Sequence, residues 1–171
     1  MSLESLVRQW KEVRNGLVEE ARLIPADQYG FRATPETRSV AELLQHVVAS
    51  QKVLVCESCR EDSNLMRRPW LEHVRDYAPE VASTSGKDAL IELLQASIAS
   101  AETTIRAFGD EALAKPIRRF DGAEMSKLTF LTFAASHEMY HRGQLTVFER
   151  LLQIEPALTT RFKKMFASAS K

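Results

Sequence analysis

The sequence predicts an all-α protein, a four-helix bundle with one long crossover connection and a short C-terminal helix. Three observations carry this. All six prolines (Pro25, Pro35, Pro69, Pro79, Pro116, Pro156) lie outside four long segments, and proline inside a helix costs an amide donor and clashes with the preceding turn. Within those segments apolar residues recur at three- and four-residue spacing, the pattern of a helix with one buried face. Strand signals are nearly absent. With 171 residues the chain is read as one domain, 1–171, large enough to fold without a disulfide or metal staple.

The first helix is expected from Leu3 to Ile24, with Leu6, Val7, Trp10, Val13, Leu17, Val18 and Ala21 on its apolar face and Pro25 ending it. The second starts at Ser39, where Glu42 three residues on makes a capping box, and runs to about Cys59. The connection from Arg60 to Thr84 is long for a compact domain, so a short helix is expected around Arg67 to Tyr77. The third bundle helix begins near Ser85 to Asp88 and stops at Gly109, since glycine readily takes the left-handed conformation after a helix. Lys115 to Gly122 reads as a small extended turn, and the fourth bundle helix as Glu124 to Gln153. Ala157 to Ala167, with Leu158, Phe162, Met165 and Phe166, reads as a short helix on the bundle end.

Composition excludes several classes of function. Lys plus Arg and Asp plus Glu both total 23, and a balanced charge argues against nucleic acid or an anionic membrane as partner. No apolar run approaches the roughly 20 residues needed to span a bilayer. The first twelve residues carry Glu4, Arg8, Lys11 and Glu12 and lack the apolar core of a signal peptide, so a cytoplasmic location is expected. Cys56 and Cys59 are too few for a disulfide framework and lack the second pair of a zinc site; they read as packing residues near the end of the second helix.

The four histidines are the informative residues. His137-Glu138-Met139-Tyr140-His141 lies in the fourth helix, and histidines four apart in a helix project from one face, as two nitrogen ligands of one metal must. The literal pattern is also that of zinc proteases, in which the glutamate is the general base. The protease reading is rejected: Gly143 follows His141 by two positions, no histidine comes later, and little sheet is available to align a peptide. His46, in the middle of the second helix, is the better third ligand. Three histidines with open positions make a catalytic type of metal site. Spacing alone leaves two other readings open: packed core histidines, and a solvent-facing Glu138–Arg142 pair. His73 reads as a surface or capping residue.

The segment Ser39-Val40-Ala41-Glu42-Leu43-Leu44-Gln45-His46-Val47, followed by His137-Glu138-Met139-Tyr140-His141-Arg142-Gly143-Gln144-Leu145, resembles the DinB-like family, as does Leu23-Ile24-Pro25-Ala26-Asp27-Gln28-Tyr29-Gly30-Phe31 between the first two helices. The resemblance spans roughly Leu3 to Leu152. It implies a metal-binding four-helix bundle, usually a homodimer, whose three ligand histidines fall on His46, His137 and His141. It implies a nickel or zinc ion. Members include S-transferases that use a low-molecular-weight thiol and a mycothiol-dependent maleylpyruvate isomerase. The chain departs from the family at Leu152-Gln153-Ile154-Glu155-Pro156, where a glycine is usual in the turn after the last bundle helix.

The expected function is therefore a metalloenzyme, an S-transferase or hydrolase, that activates a thiol or water against a small electrophile. The alternatives are a non-catalytic metal-binding bundle and a metal-free helical interaction module. Glu138, Gln144 and Tyr140 are the catalytic candidates: Glu138 as base, Gln144 orienting a water, a substrate or an imidazole, and Tyr140 lining the pocket. Gly143 is expected to permit close helix approach. Because only neutral imidazole binds metal, metal is expected to leave below about pH 6.

Overall fold

The structure, a computed structural model, describes residues 2–169. Helix α1 spans Leu3–Leu23, α2 Val40–Ser58, α3 Trp70–Tyr77, α4 Lys87–Phe108, α5 Asp110–Leu113, α6 Lys127–Leu151 and α7 Ala157–Ala169. Two short strands, β1 (Pro116–Arg118) and β2 (Glu124–Ser126), pair antiparallel with Ile117 opposite Met125. No helix among the described residues is long and apolar enough to cross a membrane.

α1, α2, α4 and α6 form the bundle. α1 packs on α4 and α6, and α2 packs on the same two helices. The consecutive helices α1 and α2 therefore sit diagonally across the bundle. The Ser39 hydroxyl accepts the Glu42 amide at 3.2 Å while Glu42 accepts the Ser39 amide at 2.9 Å, so the capping box sets the start of α2 as expected. α6 begins three residues later than the sequence suggests. Glu124–Ser126 is drawn into the hairpin, and Ser126 caps the helix by accepting the Thr129 amide at 3.2 Å.

The core is divided. One apolar cluster gathers Leu17, Ala21, Val40, Leu44, Val48, Leu90, Leu94 and Leu145. The other gathers Leu6, Trp10, Val53, Leu54, Ile105, Phe130, Leu131 and Ala134. Between them each bundle helix contributes polar side chains: Arg14 from α1, His46, Ser50 and Gln51 from α2, Ser97 from α4, and His137, Glu138 and His141 from α6. A polar layer thus crosses the bundle at mid-height.

The long connection after α2 is tied down by Glu57, which is fully buried. Its carboxylate accepts two bonds from Arg67 at 2.9 Å each, one from the Tyr77 hydroxyl at 3.0 Å and one from the Asn64 amide at 3.3 Å. His73 belongs to this knot and is not a surface residue: it is fully buried, accepts at Nδ1 from Arg68 (3.1 Å) and bonds the Leu65 carbonyl through Nε2 (3.3 Å). The expectation failed because the partners come from a loop without periodicity. The hairpin joins the same region, since the Leu65 amide donates to the Arg118 carbonyl at 2.9 Å.

α7 docks along α1 through Glu20, whose carboxylate accepts the Ala157 amide at 2.6 Å and the Leu158 amide at 3.4 Å. Phe162, Met165 and Phe166 of α7 remain largely exposed. Gly143 has open space where a Cβ would stand, so it serves no close approach. Gly16 of α1 does: a Cβ there would lie 2.3 Å from the Arg142 guanidinium.

Candidate metal centre

α2 and α6 are neighbours in the bundle, and this brings His46 to His137 and His141 across 91 residues of chain. The ligand-capable atoms of the three lie within 4.8 Å of one another. Ring centroids are 4.3 Å apart for His137–His141, 4.8 Å for His46–His141 and 5.3 Å for His46–His137. Among the described residues this is the one cluster of three or more metal-ligating side chains.

The hydrogen bonds define the imidazoles. Nδ1 of His141 lies 2.8 Å from Oε1 of Gln144. An amide oxygen only accepts, so Nδ1 carries the proton and Nε2 keeps a free lone pair. That Nε2 faces Nε2 of His137 at 3.0 Å. Ser50 Oγ stands 3.5 Å from Nδ1 of His46. Burial pushes His46 down to about 3, helped by Arg38 and the other two imidazoles. Burial likewise pushes His137 to about 4, helped by His141 and Arg38. His141 is also lowered by burial, against the opposing pull of Gln144. All three are therefore neutral at pH 7, the state a metal ligand requires.

The catalytic candidates separate. Gln144 meets the triad directly. Tyr140 is 64% exposed, with its ring 5.3 Å from His141, and stands outside the cavity rather than lining it. Glu138 is turned to the α1 side of α6. It accepts from Arg14 Nη2 at 2.9 Å and from Trp10 Nε1 at 2.8 Å, with a second Arg14 bond through Nε. The solvent-facing Glu138–Arg142 pair is thereby corrected: Glu138 is buried and pairs with Arg14, and Arg142 pairs with Glu20 at 3.1 Å. The cysteines are free, and burial raises both thiols, Cys59 to about 11. Neither is a thiolate at neutral pH.

Beside the triad lies a cavity of about 270 Å³, lined by His46, Ser50 and Leu54 of α2, Trp70 of α3, Phe120 of the hairpin loop, and Phe133 and His137 of α6. A second cleft, about 500 Å³, reaches the site from the Gln144 side and carries Glu36, Thr37 and Arg38. Sequence reading missed Arg38, Trp70, Phe120 and Phe133. Phe133 was findable, four residues before His137 on the same helical face; Trp70 and Phe120 arrive from the connection and the hairpin, which leave no periodic signal.

The sequence profile of the DinB superfamily matches residues 9–145, a span that includes all three histidines. The chain belongs to the DinB superfamily. Solved structures agree in fold. YfiT from Bacillus subtilis, described as a probable metal-dependent hydrolase with an unusual four-helix bundle topology, aligns with a TM-score of 0.69 at 15% identity over 91% of each chain. A DinB-like protein from Bacillus subtilis aligns with a TM-score of 0.65 at 21% identity, covering 87% of this chain and 92% of that one. A mycothiol-dependent maleylpyruvate isomerase aligns with a TM-score of 0.64 at 16% identity, over 85% of this chain and 61% of the isomerase. At these identities the likeness establishes the fold alone. A comparison with curated proteins gives no match.

Proposed function

We propose that this DinB-superfamily chain holds one divalent ion, nickel or zinc, on His46, His137 and His141, and that the site activates a low-molecular-weight thiol or a water against a small electrophilic substrate. The observation that carries the reading is the convergence of three neutral imidazoles, with ligand atoms within 4.8 Å, beside a cavity. The donor set fits such an ion: imidazole suits nickel and zinc alike, and among the described residues no fourth histidine, cysteine or carboxylate joins the cluster. When bound, a metal of this kind supplies Lewis acidity, lowering the pKa of a water or thiol it carries.

The chain's own groups have distinct tasks in this reading. Gln144 fixes the His141 tautomer and so presents its Nε2 lone pair. Arg38 places a cation beside the triad on the cleft side, which favours an anionic co-reactant such as a thiolate. Trp70, Phe120 and Phe133 give the opposite side an apolar wall. Glu138, held on both oxygens by Arg14 and Trp10, is given no proton-transfer role. The YfiT description supports the water branch of the reading and the isomerase's dependence on mycothiol the thiol branch. The reading takes the protein as cytoplasmic and homodimeric. The depressed basicity of His46 and His137 lowers the pH of metal release below the value near 6 expected from an ordinary imidazole.

Elemental analysis of the purified protein beside His46→Ala and His137→Ala tests the ligand set. About one metal per chain in the parent, and at least tenfold less in each variant, is expected; equal, negligible metal in all three overturns it. Thiol consumption with a panel of electrophiles, before and after chelation, tests catalysis. Metal without activity toward any thiol or water leaves a metal-binding protein.

A further inference from the structure

The cavity beside the triad has a chemistry of its own. Apart from the two imidazoles and the Trp70 indole, Ser50 is its one polar lining side chain, and among the described residues no charged group lines it. In the metal-free protein a charged substituent seated there would give up hydration without meeting an opposite charge. The remaining walls are Leu54 and three aromatic rings from three separate elements. Trp70 and Phe120 stand edge to face at 5.6 Å, and Phe133 lies 6.4 Å from His137. These are the spacings at which rings attract one another, so a ring seated against these walls finds aromatic partners at once.

Size and exposure agree with this. An apolar cavity of about 150 Å³ is enough for benzene, and this one measures about 270 Å³, room for a one- or two-ring group. Phe120 and Phe133 are each 48% exposed, which leaves apolar surface that an occupant would cover. The rings are also held in place. Trp70 opens α3, and α3 is fastened through Tyr77 and His73 to the buried Glu57 knot. Phe120 sits in the hairpin loop, whose strand β1 is bonded to the same connection through Leu65 and Arg118.

We propose that this cavity seats a flat, uncharged aromatic portion of the substrate and so presents that portion's reactive substituent to the triad. The assignment deepens the function proposed above and rests on it for the chemistry; binding in the cavity does not require the metal. The anionic co-reactant then approaches from the Arg38 cleft, and the two molecules meet at the histidines from different directions.

Calorimetric titration of chelator-treated protein with three compounds of one carbon skeleton tests the assignment: 2-naphthol, its carboxylate counterpart 2-naphthoate, and the saturated decahydro-2-naphthol. The expected result is one 2-naphthol per chain, bound at least tenfold tighter than either of the others. Phe120→Ala and Phe133→Ala should each weaken it at least tenfold while retaining the parent's helical circular dichroism and metal content. No saturable binding, equal binding of 2-naphthoate or decahydro-2-naphthol, or unchanged binding in both variants overturns the proposal. The metal reading fails separately: a parent protein that takes no metal yet binds 2-naphthol loses the triad chemistry and keeps the cavity assignment, whereas a metal-loaded protein that ignores 2-naphthol does the reverse.

Discussion

The two buried faces of α6 carry polar residues at the same height in the bundle and use them in opposite ways. Toward α1, Glu138 is saturated by Arg14 and Trp10, and Arg14 Nη1 donates to the Leu94 carbonyl at 2.5 Å and Ser97 at 2.6 Å. Arg14 is 1% exposed and Glu138 2%. Toward α2, His46 and His137 open on a cavity, and Nε2 of His137 meets Nε2 of His141 at 3.0 Å. A buried polar group whose every bond is made inside the protein acts as a cross-link. One with unspent bonding capacity beside a cavity is where outside chemistry can attach. One helix supplies both because neighbouring positions such as His137 and Glu138 point to different faces.

The largest test breaks the closed face. Glu138→Ala leaves Arg14 charged, buried and without its carboxylate, and should cost about 3–5 kcal/mol in denaturant unfolding. If Glu138 were instead a catalytic base, the variant would lose activity at nearly unchanged stability. The open face should respond in the opposite sense. Gln144→Leu removes the acceptor for the His141 Nδ1 proton and should weaken metal binding about 10- to 100-fold in chelator competition. Its stability without metal should be nearly that of the parent.

The closed face contains one joint made by a proton rather than by arginine. Glu149 of α6 is fully buried, and neither carboxylate oxygen meets an ordinary donor. Its neighbour is Glu20, the anchor of α7. Burial, then the Glu20 charge and the bond the two carboxyls share, push Glu149 up to about 8 from an ordinary 4.5. Between those values the folded chain holds a proton that the unfolded chain has released, so stability falls as pH rises through that window. Glu149→Gln keeps a donor toward Glu20 without the ionisation. It should flatten this slope and raise stability at pH 8 by about 2 kcal/mol; parallel pH–stability curves for parent and variant would refute the shared proton.

The smallest effect lies at the turn after α6. Gln153 has φ of 63°, the left-handed position. The Ile154 amide reaches the Glu149 carbonyl at 2.8 Å and the Gln153 amide the Arg150 carbonyl at 3.1 Å, the paired bonds of a Schellman cap. Glycine is the usual occupant of that conformation. Gln153→Gly should therefore stabilise by at most about 1 kcal/mol, read as a small rise in melting temperature.

The sequence made the bundle legible because its helices announce themselves: the Ser39–Glu42 box, the proline stops and the three-four spacing are local signals. The triad was legible for the same reason, since His137 and His141 share one turn of helix and His46 lies within a regular one. Arg14 and Glu20 leave a local trace, as charges set within or beside the apolar stripe of Trp10, Val13, Leu17 and Ala21. His73, Trp70 and Phe120 left none. Their positions follow from Glu57 gathering an aperiodic connection and from a hairpin docking against it, contacts between residues far apart in the chain.

The diagonal placement of α1 and α2 has a consequence for biosynthesis. The two helices made first both pack mainly on α4 and α6, so each emerges with much of its apolar stripe uncovered until α4 appears, and the bundle cannot close until α6 has followed. The last bundle helix to be synthesised carries two of the three histidines and Glu138, the partner of Arg14. A nascent chain that ends before residue 127 therefore has neither a site nor a closed core, and its exposed stripes are the surface a chaperone would hold.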